Sequence, residues 1–209
     1  MYRPSRDSYP LKFQQSWLKD TILSLIRDEF SYTQPIIAKN IISSGKNKKN
    51  LKVTPILRIS SFIKTTTPNN DLTAVLTDSS HKILVRFPFH PTIVEFETLY
   101  NQRITYNTVH TLIQIKQANL LFVNRVQLKG DYNMSHTNSL GVVILEITDL
   151  RLFQQDQIEF APIIDNSLKF IYDDDDYIKI CTGPALGDRY VITDPDEYDD
   201  VVSHDEDSI

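Results

Sequence analysis

A single cysteine, Cys181, is all that this 209-residue chain holds, which excludes an internal disulfide and any cluster of thiolates around a metal. The reducing interior of a cell is the compartment this leads us to expect. No apolar run reaches the roughly 18 residues of a spanning helix. The opening Met1-Tyr-Arg-Pro-Ser-Arg-Asp7 leads into no uninterrupted apolar stretch, so no secretory leader is expected either. Glycine is scarce, at five residues, which is few for a strongly coiled sheet. His81, His90, His110, His136 and His204 include no pair at i, i+4 and none at metal-ligand spacing from the cysteine. Asp173 to Asp176 lacks the spaced ligands and glycine of a calcium loop. Thr182-Gly-Pro-Ala-Leu-Gly187 lacks the lysine and the strand-to-helix setting of a phosphate loop. Asp78-Ser-Ser-His81 offers a carboxylate, a nucleophile and a base, but catalytic triads are assembled from separated elements rather than from one turn. We therefore expect no metal, no cofactor and no enzyme.

What the chain does have is uneven charge. Residues 173–209 hold 13 of the 27 acidic residues against Lys179 and Arg189 alone, a balance of −11, which leaves residues 1–172 at +6. The net charge of −5 therefore describes neither part. We expect one domain over residues 11–172 and an acidic tail, lacking order, over 173–209.

The stretch Leu72 to Thr105 organises the body. Leu72-Thr-Ala-Val-Leu-Thr77 is β-rich and runs into the turn-forming cluster Asp78-Ser-Ser80. In Lys82-Ile-Leu-Val-Arg-Phe87 the residues Ile83, Val85 and Phe87 alternate with Lys82 and Arg86, the period of a half-buried strand. Pro91 and Thr92 then open a short helix, with Thr92 and Glu95 at capping-box spacing and Ile93, Phe96 and Leu99/Tyr100 at helical intervals. Upstream, a helix begins at Ser16 as N-cap, with Leu18, Ile22, Leu25 and Ile26 forming its buried stripe and Trp17 beside it as a packing anchor. Residues 31–54 read as a connector, its Ser/Gly/Lys/Asn composition that of a flexible loop. Pro55 to Lys64 is a strand in which Phe62 joins the inward set only if a bulge shifts the register.

Beyond the second helix, Thr111–Lys116 and Leu120–Leu128 are strand-like, with a kink or turn at Gln117-Ala-Asn119. Gly130 to Ser139 is a polar loop. Val142–Phe153 is the last long strand, its face switching near Thr148-Asp149. Strand, strand, strand, helix, strand, strand is the order of an OB-fold: a mainly β, five-stranded Greek-key barrel, here with an N-terminal helix and a second helix between strands 3 and 4. Such barrels often grip single-stranded nucleic acid with aromatic and basic residues. On the residues alone, a protein-binding barrel and a weak single-strand binder both stand.

Thr77-Asp-Ser-Ser-His-Lys-Ile-Leu-Val-Arg-Phe87, Phe96-Glu97, Arg103-Ile-Thr105 and Ala118-Asn-Leu-Leu-Phe-Val-Asn124 resemble the Ever-Shorter-Telomeres subunit-three family, small subunits of yeast telomerase. The resemblance runs over roughly residues 13–155, and that family is similar to the telomerase-recruiting OB domain of shelterin. It implies a non-catalytic telomerase subunit at nuclear telomeres, contacting the reverse transcriptase and other telomerase subunits, with nucleic-acid contact weak or indirect. The positions it carries over as partner contacts are Asp78, Phe96, Glu97, Arg103 and Thr108, with Arg58 and Trp17 less securely matched. The family's second first-strand lysine meets Ser61 here. Read as residues, Asp78 is equally a turn cap, Phe96 belongs to an apolar stripe, Glu97 points toward solvent, and Arg103 can also compensate a helix C-terminus.

Overall fold

A computed structural model describes residues 16–30, 38–42, 55–63, 69–123, 125–134, 142–155 and 167–182. The elements are α1 (Leu18–Phe30), β1 (Ala38–Ile42), β2 (Ile56–Ile63), β3 (Leu72–Thr77), β4 (His81–Phe87), α2 (Val94–Tyr100), β5 (Leu112–Val123), α3 (Arg125–Tyr132), β6 (Val142–Gln154), β7 (Lys169–Phe170) and α4 (Asp175–Thr182). Strands β2, β3, β4, β6 and β5 close on one another: β2 pairs β3 and β5, β3 pairs β4, β4 pairs β6 in parallel, and β6 pairs β5. That is the five-stranded OB barrel, with α1 ahead of it and α2 between its third and fourth strands.

The alternation read from the sequence holds. Ile83, Val85 and Phe87 are wholly buried, facing Ala74 and Leu76 across the β3–β4 hairpin. The register of β2 on β3 shifts between Ile59 and Ser61, the bulge that brings Phe62 onto the core. On β6 the face switch falls at Thr148, left out of the ladder between Asp149 and Ile147. The irregularity at Gln117 is a kink within one continuous strand, β5.

Several expectations are corrected. Residues 38–42, expected within a flexible connector, form β1, which pairs β5 antiparallel over Leu121 to Ala118. The strand expected to run to Leu128 stops at Val123, and Arg125–Tyr132 is helical, burying Leu128 and Tyr132 and leaving Val126 and Lys129 outside. Ser16 does not cap α1; its hydroxyl pairs with Ser80 Oγ (2.9 Å), and the capping is done from a distance by Asp78. The Thr92–Glu95 capping box does not form either. A turn over Phe89–Ile93 leads straight into α2, and Thr92 Oγ1 donates to the Ile147 carbonyl of β6 (2.9 Å).

The largest correction concerns the acidic segment. Order does not stop at 172: Tyr172, Asp174, Tyr177 and Cys181 are buried, and α4 packs on α1. The remainder of the acidic tail, 183–209, lies outside the described residues, as do the loops at 43–50 and 135–139.

Candidate docking face

Helix α2 ends at Asn101, whose left-handed backbone (φ 48°, ψ 37°) turns the chain back toward the barrel. Its last turn is fixed to β6, since the Leu152 N–H donates to Tyr100 Oη (3.1 Å) and Gln155 Nε2 donates to Gln102 Oε1. The loop that follows is stiffened by a capping box the sequence reading missed. Thr105 N–H donates to Thr108 Oγ1 (3.2 Å), Asn107 N–H to Thr105 Oγ1 (3.3 Å), and Thr108 Oγ1 to the Thr105 carbonyl (2.6 Å). His110 and Thr111 then exchange backbone hydrogen bonds with Ile59 (2.7 and 3.0 Å), welding the loop to β2.

This pinned end of the barrel presents large apolar side chains to water. Leu99 is 66% exposed, Tyr106 79% and Phe153 42%. Leu99 and Phe153 sit one residue from the Tyr100–Leu152 bond, and Tyr106 lies in the turn after α2. On the same segments Glu97 is half-buried and Glu95, Arg103 and Arg151 are exposed. Aromatic residues and arginine on a rigid support are the composition of protein interfaces. The signal available in sequence was weak, because Leu99 shares the apolar stripe with Phe96, and Phe153 alternates as a strand residue would.

Of the seven residues the resemblance carried over, Arg103 is exposed and Glu97 half-buried, on the segments that bear Tyr106 and Leu99. The other five are buried, each with work inside the fold. Asp78, 0% exposed, accepts from Trp17 N–H and Leu18 N–H through Oδ2 (both 2.9 Å) and from Ser80 N–H, Ser80 Oγ and His81 N–H through Oδ1 (2.6, 2.8 and 2.8 Å). One carboxylate thus caps α1 and locks the β3–β4 turn. Trp17 packs in the core at the head of α1; Phe96 is packed beneath α2, its ring 4.7 Å from that of Tyr100. Thr108 is spent on the capping box, and Arg58 is buried in β2 between Thr77 of β3 and Leu112 of β5.

The Asp78-Ser-Ser-His81 turn is a hydrogen-bonded chain. Ser80 Oγ donates to Asp78, lies 2.9 Å from His81 Nδ1, and His81 Nε2 reaches Asp174 Oδ2 (3.2 Å). Burial opposes the charge on Asp174, but hydrogen bonds from Lys19, from the Asp176 N–H and from His81 outweigh it and hold the carboxyl at about 2. Among the described residues, no group of three or more His, Cys, Asp or Glu is placed to hold a metal.

In OB barrels the outer face of the second and third strands is where oligonucleotides lie. Here those strands are β3 and β4, and the outward positions on β4 are already engaged. Lys82 Nζ lies over the Phe170 ring (5.7 Å to its centre), Leu84 is wholly buried, and Arg86 is held by Glu146 and Asp71. On β3, Thr73 Oγ1 donates to the Asp131 carbonyl of α3 (3.2 Å), and Val75 and Thr77 are covered.

Comparison with known proteins agrees with this architecture. The family model described as the shelterin complex subunit TPP1/ACD matches residues 14–169. Telomere replication protein EST3 of Debaryomyces hansenii is 43% identical over 93% of this chain and 96% of its own length. That of Candida albicans is 39% identical over 87% and 83% respectively. The solved structure described as the Est3 telomerase subunit in the yeast Hansenula polymorpha shares the fold, with a TM-score of 0.55 at 21% identity, covering 86% of this chain and 93% of that one.

Proposed function

The chain belongs to the EST3 family of telomere replication proteins, within the TPP1/ACD class of shelterin subunits, and from that membership we propose that it acts as a non-catalytic subunit of telomerase in the nucleus, at chromosome ends. In this reading its task is docking. The face of Leu99, Tyr106 and Phe153, flanked by Glu97 and Arg103, meets the reverse transcriptase or a companion subunit. The apolar side chains supply affinity, while the charges set specificity and encounter rate.

The observation that carries the reading is that exposed Tyr106 rides on a loop fixed at both ends, to β6 and to β2, while exposed Leu99 and Phe153 flank the α2–β6 bond at its first anchor. A preformed face loses little entropy on binding. The rival reading, a barrel that grips single-stranded nucleic acid, meets an outer β3–β4 face filled by the chain's own residues.

The test is the double charge reversal Glu97→Arg/Arg103→Glu. It is expected to abolish co-purification with telomerase while thermal stability stays within about 4 °C, since surface substitutions seldom exceed about 0.5 kcal/mol each. Retained co-purification sinks the proposal. Titration with telomeric single strands at several salt concentrations addresses the rival, which requires tight binding with a steep salt slope.

A further inference from the structure

The closure of the barrel between β4 and β6 is short: the two strands pair only at Val85–Leu145 and Arg86–Glu146. Toward the hairpin end the seam is filled by the segment after residue 167. Strand β7 continues the parallel pairing on β4, at His81–Lys169 and Lys82–Phe170. Tyr172 Oη then accepts from Leu84 N–H of β4 (3.2 Å) and donates to the Val143 carbonyl of β6 (2.6 Å), so a phenol stands where a ladder hydrogen bond would be. Tyr177 Oη accepts from Val143 N–H (3.2 Å). Both rings are wholly buried and meet edge to face at 5.6 Å.

Ion pairs hold this segment down at its rim. Lys19 of α1 reaches Asp174 (3.0 Å) and Asp176 (2.9 Å); His81 and Lys169 also approach Asp174 (3.2 and 3.8 Å). The latch is open to water on one side, with the Lys19 side chain 31% exposed and that of Asp176 45%. The pairing of the five barrel strands does not pass through it.

We propose that residues 169–182 form a strap that opens as a unit from the β4–β6 seam, with the Lys19–Asp174–Asp176 pairs as its latch. The barrel stays closed at Val85–Leu145 and Arg86–Glu146 while the strap lifts. Opening strands the backbone of Leu84 and Val143 and uncovers Cys181, which is otherwise 2% exposed. Closure is therefore strongly favoured at rest, and opening is a rare, charge-controlled event below the free energy of global unfolding.

The only cysteine in the chain lies on the strap, which makes the test direct. Maleimide labelling of Cys181 is timed in the native protein, and urea unfolding is measured in parallel. Labelling is expected through an opening smaller than global unfolding, with the amides of Leu84 and Val143 exchanging hydrogen at the same opening free energy, ahead of those of β3. Lys19→Met and Asp174→Asn are each expected to speed labelling about tenfold, the loss of a charge-assisted hydrogen bond. If Cys181 reacts only as fast as the whole protein unfolds, the strap is part of the cooperative core and the proposal fails. That wild-type comparison decides even if the latch variants do not fold.

Discussion

Replacing Asp78 separates a structural residue from a contact residue. Its carboxylate accepts five hydrogen bonds with no exposure to water, and four of the donors are backbone N–H groups. Asp78→Ala leaves Trp17 N–H and Leu18 N–H at the head of α1 without a partner, together with Ser80 N–H and His81 N–H in the turn. A buried donor left unsatisfied costs about 1–3 kcal/mol. Removing the carboxylate also removes its own desolvation cost, and water reaches the half-buried Ser80, so the contributions do not add in full. About 3–5 kcal/mol is the expected loss, the equivalent of roughly two fully orphaned donors. At roughly 2–4 °C per kcal/mol for a chain of this size, the melting temperature falls by about 10 °C. Asp78→Asn keeps one acceptor oxygen but turns an NH2 toward the other pair of donors, so about half the loss is expected. Thermal melts followed by circular dichroism, with urea midpoints, are the assay. If Asp78→Asn melts with the wild type yet loses telomerase, Asp78 is a contact residue and this reasoning is wrong.

Other perturbations separate the same two roles. Tyr106→Ala is expected to move stability by no more than about 0.5 kcal/mol, and Phe153→Ala, whose ring is more than half covered, by about 1–2 kcal/mol, while both weaken telomerase co-purification; a large drop in melting temperature for Tyr106→Ala would return that side chain to the core. Tyr172→Phe keeps the ring but leaves Leu84 N–H and the Val143 carbonyl without their hydroxyl, and should cost about 1–3 kcal/mol in urea unfolding. Asp174, held at about 2 when folded against an ordinary 3.8, contributes stability that is present above the ordinary value and lost as pH falls toward 2. Acid titration of unfolding should therefore show a shallower slope between those limits in Asp174→Asn than in the wild type.

The strands were legible because each buries one face, and period-2 alternation records that directly. Leu72–Thr77 as read is β3 residue for residue, and the bulge before Phe62 was deducible from one misplaced aromatic. The helix ends were not legible, because their caps are tertiary. Ser16 and the Thr92–Glu95 spacing satisfy the local rule, but Asp78 and the Ile147 carbonyl compete for the same groups from across the fold. Arg125–Leu128 misled because Val126 and Leu128 continue the apolar spacing of β5, although only Leu128 is buried. The strap misled most. Asp173 to Asp176 reads as a solvated charge run, and nothing nearby shows that Lys19, 155 positions away, meets Asp174, or that Tyr172 and Tyr177 fill a seam.

The same distinction governs how site residues transfer between relatives. Substitution at a position that matches a family pattern can do harm by two routes. Phe96 is buried beneath α2 against Tyr100, and Thr108 closes the capping box of the loop that carries Tyr106, so truncating either would disturb the support of the face without touching a partner. Asp78 and Trp17 act further off, through the seating of α1 against the β3–β4 turn. Arg103 is exposed and Glu97 half-buried, so both are positions where a partner can be met directly. Loss of telomerase association thus identifies a contact only when the melting temperature is unchanged. By that criterion the proposed docking face is to be tested at its exposed members, and the buried matches test only the frame that supports them.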